Sequence, residues 1–378
     1  MKIILATDSF KGSLTAQQVR SAMKKGIYPV YPNAEIIEIP MADGGEGTIE
    51  ALVEEQKNWV TVKVHDPLFR LVDAKYGLTD HGKTAVIEMA QASGLPLLKM
   101  EEQNPWVTTT FGTGELILDA LNKGVRNFII GIGGSATNDG GKGMLEALGF
   151  EFLDRNKNPV PHGAQGLAKV EHLQNANAHP GLKNASFKIA CDVDNPFYGP
   201  RGATYIYGAQ KGANAEMLDR MEKAMIHFAE KIHHFTGIDL RHVKGSGAGG
   251  GISGAFFAML NGALKSGVDI ILDHQQFDHH LEGADIVLSG EGKIDHQSVS
   301  GKVIDGIAKR CTAKNVPLIV LGGGVMPETQ PFDAAGITAV FSIINEPVSL
   351  EKAMNPATAA GMITFKTTQV FRLIQQFN

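Results

Sequence analysis

Short apolar strands that end in glycine, serine or acid occur near both ends of the chain, and they constrain the fold more than any other feature. Near the N-terminus they read KIILATD and AEIIEIPMADGG, and toward the C-terminus ADIVLSGEGKID, VPLIVLGGG and ITAVFSIINE. The helical pattern AQQVRSAMKKGI follows the first strand, with Ser13 or Thr15 as its N-cap. Such strand–helix–strand units build a doubly wound parallel sheet, whose ligands gather at the carboxyl ends of the strands.

The middle of the chain has a different pattern. Alternating strands appear near WVTVKV and KTAVIEMA, and further strands at NFIIGIGGS and FKIACDV. We therefore predict two α/β domains. Residues 1–58 and 285–378 would form a discontinuous parallel-sheet domain, interrupted by an inserted α/β domain with a mixed sheet over residues 59–284.

The composition is that of an ordinary globular protein, with 378 residues, 43% of them apolar, and a formal net charge of −5. This balance gives no reason to expect nucleic acid or an anionic membrane as a partner, because binding either needs a basic face. Two cysteines, Cys191 and Cys311, are too few for a disulfide framework or a cysteine metal site. No stretch resembles a signal peptide or a membrane helix, so we expect a cytoplasmic protein.

The segment GLTDHGKT, residues 77–84, matches the phosphate-binding pattern G-x-x-x-x-G-K-[ST] letter for letter. That pattern binds phosphate only where a strand leads into the glycines and a helix leads out. Here β-forming residues flank the polar tip TDHGK on both sides, which predicts a hairpin in which Lys83 and Thr84 begin the outgoing strand. We therefore interpret the match as chance.

Two polar clusters follow the N-terminal strands. TDSFKGS places Asp8, Ser9, Lys11 and Ser13 just past the first strand, and in MADGGEGT Asp43 precedes a Gly-Gly pair that lets backbone approach a ligand closely. Either cluster alone is equally compatible with a capped turn.

The glycine-rich segment GIGGSATNDGGKGM begins at Gly131, after the strand NFII and before the predicted helix GMLEALGF. A strand, a glycine turn and a helix N-terminus present unpaired N–H groups to an anion, so we predict phosphate or carboxylate binding here. Asn138 and Asp139 add an amide and a carboxylate. A dinucleotide fingerprint would need glycine at position 136, where the chain has Ala136.

Two further clusters are rich in acids. SGEGKIDHQSVSGK, residues 289–302, carries Glu291, Lys293 and Asp295 directly after a buried strand, and ACDVDNPFYGP places Asp192 and Asp194 after the strand FKI. Carboxylates at strand ends suit Mg²⁺, and they also suit a base that takes a proton from a hydroxyl. The spacing is compatible with both roles.

Two other features are less specific. The glycine run GSGAGGGISGA, residues 245–255, suits either a phosphate cradle or close packing of a helix on a sheet. The His pairs at 233–234 and 279–280 are interpreted as surface residues, because adjacent residues on a helix point in different directions.

Taken together, the segments ATDSFKGSLTA, PMADGGEGT, GIGGSATNDGG, CDVDNP, GAGGGISGA and SGEGKIDHQSVSGK resemble the signature segments of the type I glycerate kinase family, in the same order. The likeness runs from Met1 to the final helix near Phe371. It implies a flavodoxin-like (Rossmann-like) domain, an inserted α/β domain and an active site in the cleft between them. It also implies phosphorylation of D-glycerate by ATP with Mg²⁺, usually to 2-phosphoglycerate and less often to 3-phosphoglycerate.

With that resemblance, phosphoryl transfer requires cations and metal-bound carboxylates to cancel phosphate charge, and a group that orients or deprotonates the accepting hydroxyl. The candidate catalytic residues are Asp8, Lys11, Asp192 and Lys293. The candidate metal ligands are Asp43, Glu291 and Asp295. The candidate substrate- and phosphate-binding residues are Ser9, Ser13, Gly44, Gly45, Arg70, Gly133, Gly134, Ser135, Asn138, Ser289 and Gly290.

Other functions stay open at this point. They are a kinase for another small hydroxy acid, a nicotinamide-dependent dehydrogenase, and a non-catalytic organic-acid-binding protein. The dehydrogenase lacks its fingerprint, and binding of Mg·ATP would separate the kinase from the other two. A homodimer is an open alternative to a monomer.

Overall fold

The structure is a computed structural model that describes residues 1–42, 48–53, 56–295, 298, 303–328 and 330–377. The strands of this part of the chain are β1 (Lys2–Thr7), β2 (Glu35–Pro40), β3 (Trp59–His65), β4 (Leu71–Thr79), β5 (Thr84–Glu88), β6 (Asn127–Gly131), β7 (Glu151–Leu153), β8 (His172–Gln174), β9 (Ser186–Ala190), β10 (Ala263–Lys265), β11 (Ile286–Ile294), β12 (Leu318–Val325) and β13 (Ala339–Ser342).

The α-helices of the same residues are α1 (Ala16–Ile27), α2 (Thr48–Leu52), α3 (Ala90–Ser93), α4 (Phe111–Asn122), α5 (Lys142–Ala147), α6 (Ala164–Leu167), α7 (Ala203–Tyr207), α8 (Ala215–Thr236), α9 (Ile252–Leu260), α10 (Gly267–His274), α11 (Phe277–His280), α12 (Val303–Lys314), α13 (Gln330–Ala334), α14 (Leu350–Met354) and α15 (Pro356–Gln375). Each of these helices is too short or too polar to span a membrane.

Contacts divide the chain into two compact units. The first unit comprises Met1–Asp43 and Ile271–Asn378, and the second comprises Gly44–Ile270. The domain boundaries expected at residues 58/59 and 284/285 stay predictions.

The first unit is built on a five-stranded sheet in the order β2-β1-β11-β12-β13, in which all neighbours are parallel. The chain winds from β1 outward to β2 on one side, and from β11 through β12 to β13 on the other. This is the flavodoxin-like strand order, and it confirms the predicted parallel sheet. The winding reverses between β1 and β11, because the connections after these two strands run in opposite directions. Ligands of such sheets bind at the carboxyl ends of the strands on either side of this reversal.

Helix α1 begins at a capping box. The N–H of Gln18 donates to the Thr15 hydroxyl at 3.2 Å, and the Gln18 side chain accepts the Thr15 N–H at 2.9 Å. Thr15, rather than Ser13, is therefore the N-cap. The buried face of α1 includes Val19 and Met23, which pack in the core of the first unit.

The second unit contains a six-stranded sheet in the order β3-β4-β5-β6-β9-β10. Strands β3, β4 and β5 pair antiparallel, whereas β5, β6, β9 and β10 pair parallel. The predicted mixed sheet, and with it the two-part α/β fold, is confirmed. Stacked aromatic rings fill its core, as between Phe128 and Phe187, whose centroids lie 4.8 Å apart.

The segment that matches the phosphate-binding pattern is a hairpin, as predicted. Strands β4 and β5 pair through Thr79 and Thr84, and the turn Asp80–Gly82 is a single 3₁₀ turn. The Thr84 hydroxyl donates to the Asp80 carboxylate at 2.6 Å, which closes the turn. Strand β5 thus follows the glycine at the place where a phosphate loop has a helix.

Candidate functional site

Strand β1 delivers Asp8 to the carboxyl edge of the first unit's sheet, at the point where the winding reverses. The Asp8 N–H donates to the carbonyl of Gly290 on β11 at 3.2 Å, so the two backbone segments stay paired past the end of β1. The Asp8 carboxylate in turn accepts the Ser9 N–H at 2.6 Å. Backbone on both strands therefore fixes the position of this carboxylate.

A tight turn places Lys11 beside Asp8. Phe10 and Leu14 are buried and exchange backbone hydrogen bonds of 2.8 and 3.0 Å, which closes the turn. Gly12 has φ of +77°, a conformation that side-chain-bearing residues rarely adopt. Lys11 is exposed at the tip, while the Ser13 hydroxyl is buried and finds no hydrogen-bond partner among the described residues.

Strand β11 extends further than the sequence suggests. Its pairing with β12 continues through Glu291, Lys293 and Ile294, beyond the last pair with β1. Ser289 and Gly290 are buried in the strand. Glu291 and Lys293 were expected directly after a strand, but they lie within β11 because the glycine-rich end of β12 pairs with them.

Local contacts hold the acids and the lysine at the end of β11. The Ser298 hydroxyl donates to the Glu291 carboxylate and accepts the Asp295 N–H at 3.2 Å. The Lys293 ammonium lies 3.3 Å from the Asp295 carboxylate, and the Lys293 side chain is 78% exposed. This arrangement leaves a solvent-facing cation beside the Asp295 carboxylate.

One cavity of about 610 Å³ in the first unit collects these side chains. Seven of the predicted residues line it, namely Asp8, Ser9, Lys11, Ser13, Glu291, Lys293 and Asp295. They come from β1 and β11, the two strands that flank the reversal of winding. The remaining predicted residues of this edge, Ser289 and Gly290, are buried in β11 beneath it.

The Glu291 and Asp295 carboxylates fit a Mg²⁺ ion that is bound together with the phosphates of a nucleotide. Among the described residues, no three histidine, cysteine or acidic side chains are grouped so as to hold a metal ion. Mg²⁺ is commonly held by one or two carboxylates together with phosphate oxygens and water, and Glu291 with Asp295 can supply that share. The other predicted ligand, Asp43, and the predicted phosphate contacts Gly44 and Gly45 lie outside the described residues.

In the second unit, the glycine-rich loop after β6 presents bare backbone to solvent. The Leu95 N–H donates to the Gly134 carbonyl at 2.8 Å and fixes the loop. Gly134 has φ of +70°, and both it and Gly133 are exposed, whereas Ser135 is buried. An exposed glycine turn is a surface that an anionic group can approach closely.

Lys211 is buried against this loop, and the sequence analysis did not identify it as a site residue. Its ammonium donates to the Ser135 hydroxyl at 2.8 Å and to the Thr137 carbonyl at 2.7 Å. Burial lowers the pKa of Lys211 to about 7, an effect that the nearby Asp139 carboxylate partly opposes. The segment GAQKGANAE has no periodicity that marks this lysine as buried.

The N-terminus of α5 is occupied by a carboxylate of the chain itself. Asp139 is fully buried and accepts the N–H groups of Gly141 and Gly143 at 3.1 and 3.2 Å, together with the N–H and hydroxyl of Thr110 at 2.8 and 2.9 Å. A ligand was expected at this helix end, and Asp139 takes that place because these four donors compensate its burial. The exposed glycines, Gly133 and Gly134, stay the predicted anion contact.

Asn138 and Asp192 have partners within the second unit. Asn138 is fully buried, and its amide donates to the Thr204 hydroxyl at 3.1 Å. Asp192 is exposed and accepts the Gly267 N–H at 3.0 Å at the start of α10. The structure thus places them in different surroundings, one in the core and one at the surface.

Arg70, the second predicted carboxylate clamp, already pairs with two acids. Its Nε lies 2.6 Å from the Asp66 carboxylate and its Nη1 lies 2.7 Å from that of Glu102. The hydrogen bond that Arg70 donates to Glu102 is the main reason that the pKa of Arg70 is raised. A substrate carboxylate would compete with these acids for the guanidinium.

The glycine run at 245–255 favours the packing alternative. A Cβ on Gly250 would lie 2.0 Å from the Thr137 carbonyl oxygen, and one on Gly254 would lie 2.5 Å from the Phe197 ring. The Gly140 N–H donates to the Gly250 carbonyl at 3.0 Å. These glycines let the segment pack closely against the glycine-rich loop after β6.

The chain is similar to known proteins along nearly its whole length. The model of the glycerate kinase family matches residues 3–375. "Glycerate 2-kinase" of Escherichia coli is 42% identical over 362 residues, covering 94% of both chains, and "Glycerate kinase" of Bacillus subtilis is 43% identical over 358 residues, again covering 94% of both. The crystal structure of a candidate glycerate kinase 2 from Salmonella typhimurium LT2 superposes with a TM-score of 0.90 at 39% identity, covering 100% of this chain and 98% of that one.

Proposed function

The chain belongs to the glycerate kinase family, and we propose that it transfers the γ-phosphoryl group of ATP to the 2-hydroxyl of D-glycerate, giving 2-phosphoglycerate and ADP. The observation that carries this proposal is the cavity of the first unit, where seven predicted residues with two cations, three carboxylates and serine hydroxyls meet at a topological switch point. The 2-position follows the name of the E. coli relative.

Lys11 and Lys293 hold the phosphates of ATP in this proposal. Phosphoryl transfer needs little covalent chemistry from the protein, and its barrier falls mainly when charge on the moving group is balanced and its path is aligned. Both lysines are exposed at the rim of the cavity, so their ammonium groups can reach a ligand without first leaving a buried environment.

Asp8 orients the hydroxyl of glycerate or takes its proton. The carboxylate is held by the Ser9 N–H and by the backbone bond to Gly290, so it need not be ordered when substrate binds. A carboxylate in this place is also positioned to act as a base toward an alcohol. Asp192 stays the other predicted catalytic carboxylate.

Mg²⁺ accompanies ATP, with Glu291, Asp295 and Asp43 as its protein ligands. When bound, the ion neutralises charge on the phosphate oxygens. The residues of this chain contribute the carboxylates, and the Ser298 hydroxyl orients the one on Glu291.

The second unit binds the carboxylate of glycerate at the exposed turn Gly133–Gly134. Lys211, directly behind the turn, contributes positive charge or a dipole through Ser135. Arg70 provides a second contact if the substrate displaces Glu102, whose pair with Arg70 is the more exposed of the two.

Turnover and product identity test the proposal. Purified protein with Mg²⁺ and ATP should release ADP with D-glycerate but not with L-glycerate or without acid, and the phosphorus coupling in the NMR spectrum should mark the 2-position. Turnover only with another hydroxy acid would reassign the substrate, and no turnover by folded protein would favour an organic-acid-binding protein.

Two variants test the assigned roles. Asp8→Asn and Lys11→Ala should each lower kcat by at least about a hundredfold, because each removes a group that acts on the transferring atoms. Lys25→Ala on α1, which removes an exposed charge away from this cavity, is the control. Turnover within about threefold of the parent for both variants, under ~1 kcal/mol in barrier, would refute these roles.

A further inference from the structure

The cavity of the first unit has two chemically different ends. The charged end is the one described above. The other end is formed by the segment after β13 and by α14, and its side chains are Ile343, Ile344, Val348, Leu350 and Met354. A single cavity with a charged end and an apolar end suits a ligand that is itself charged at one end and apolar at the other.

Glycerate does not use the apolar end. It carries a carboxylate and two hydroxyl groups on three carbons, so it has almost no apolar surface to bury. The volume of about 610 Å³ lies in the range of ~300–1,000 Å³ that is typical of sites for much larger ligands. The cavity therefore has room and chemistry for the other substrate.

Two large apolar side chains of α14 are exposed here. Leu350 is 75% exposed and Met354 is 38% exposed. The helix that carries them is fixed at its start, where the Ser349 hydroxyl accepts the Lys352 N–H at 3.2 Å. Exposed apolar side chains at the edge of a cavity, on a capped helix, mark a surface that a ligand covers.

Part of the cavity lining is bare backbone. Gly292, Gly323 and Gly324 line the cavity on β11 and β12. A Cβ on Gly323 would lie 2.5 Å from the Gly292 carbonyl oxygen, so the close pairing of the strands requires glycine there. Glycines in adjacent strands offer a flat surface on which a planar ring can lie.

The turn that carries Lys11 touches the apolar end. A Cβ on Gly12 would lie 2.9 Å from the terminal methyl of Met354. One molecule can therefore contact Lys11 with its anionic part and Met354 with its apolar part.

We infer that the apolar end, with Leu350, Met354 and the lining glycines, binds the base of the nucleoside triphosphate whose phosphates lie at Lys11 and Lys293. The inference rests on the proposed kinase function and deepens it, since it assigns the nucleotide to the first unit. A nucleotide combines a planar, weakly polar ring with a strongly anionic chain, which matches both ends of the cavity.

Calorimetric binding to the full-length protein, without glycerate, tests the inference with two probes, Mg·ATP and Mg-tripolyphosphate. The variant is Leu350→Ser, and the matched control is Leu373→Ser on α15, whose leucine is 57% exposed and does not line the cavity. Leu350→Ser should weaken Mg·ATP about tenfold, since a leucine that a ligand covers loses most of its transfer free energy when changed to serine. For Leu350→Ser, the affinity for Mg-tripolyphosphate and the KM for D-glycerate should stay within about twofold of the parent. Leu373→Ser should change neither of these quantities nor the affinity for Mg·ATP.

Each outcome has a distinct meaning. Equal ATP affinity for Leu350→Ser and the parent, or a rise in the KM for glycerate instead, overturns the base subsite, as does a parent that binds no ATP. If ATP binding falls as expected but the parent does not phosphorylate glycerate, the nucleotide subsite stands and the glycerate kinase proposal fails.

Discussion

Gly26 on α1 packs tightly against α15. A Cβ there would lie 2.6 Å from the Thr364 carbonyl oxygen and 2.8 Å from the Thr367 Cβ. The two helices are joined nearby by the Thr364 hydroxyl, which donates to Ala22, and by the Thr368 hydroxyl, which donates to Gly26, both at 3.0 Å. The change Gly26→Ala should therefore push the helices apart.

The expected magnitude follows from three contributions. A helix interior favours alanine over glycine by about 1 kcal/mol. Overpacking of a tight contact costs ~1–3 kcal/mol. Moving the helices apart by ~0.6 Å would stretch both threonine hydrogen bonds past their useful range, at about 1 kcal/mol each. Gly26→Ala should thus lower the free energy of unfolding of the first unit by about 3 kcal/mol.

Gly361 on α15 is the matched control, because a Cβ there would meet nothing within 4 Å. Gly361→Ala should stabilise the unit by up to ~1 kcal/mol through helix propensity alone. Hydrogen exchange of peptides covering residues 16–27 and 356–375, followed by mass spectrometry, reports the local free energy of opening. Equal or greater protection of Gly26→Ala relative to the parent would refute the close-contact reasoning.

Three further perturbations test other parts of the structure. Because the pKa of Lys211 is lowered to about 7 while the unfolded chain keeps that proton up to about pH 10.4, the unfolded state binds more protons above pH 7, and stability rises with pH. Between pH 7 and 9, the free energy of urea unfolding of the parent should rise by about 2 kcal/mol more than that of Lys211→Met, and parallel pH profiles would contradict the lowered pKa of Lys211. Asp139→Asn places an amide against the Thr110 and Gly143 donors, so its urea midpoint should reveal a loss of ~3 kcal/mol, and an unchanged midpoint would rule out the carboxylate cap. Thr15→Ala should cost about 1 kcal/mol in the same assay, whereas Thr15→Ser should cost almost nothing.

The parts of the fold that local chemistry controls could be predicted from the sequence. The hairpin at Gly77 follows from β-forming residues around a polar turn, and the start of α1 follows from a threonine three residues before a glutamine. The parallel sheet follows from apolar strands that alternate with helices, since strands buried on both faces have no polar side. In each case the residues that decide the structure are neighbours in the sequence.

The sequence also predicted that the cluster TDSFKGS and the acidic cluster at residues 289–302 lie at one edge of the sheet. Parallel strands end on the same side of a sheet, so Asp8 after β1 and Glu291 near the end of β11 were expected together without any knowledge of the distance between them. The length of β11 was not foreseen, because it depends on a partner, the end of β12, whose glycines give no strand signal of their own.

The remaining details depend on residues far apart in the chain, and only the tertiary structure decides them. Lys211 and Ser135 are 76 positions apart, and nothing near either residue indicates that an ammonium group is buried behind the glycine loop. Asp139 caps its own helix because Thr110, from another segment, completes its hydrogen bonds. Strand-end chemistry is local and periodic and can be read in the sequence, whereas burial and the choice of partner arise only when distant segments pack together.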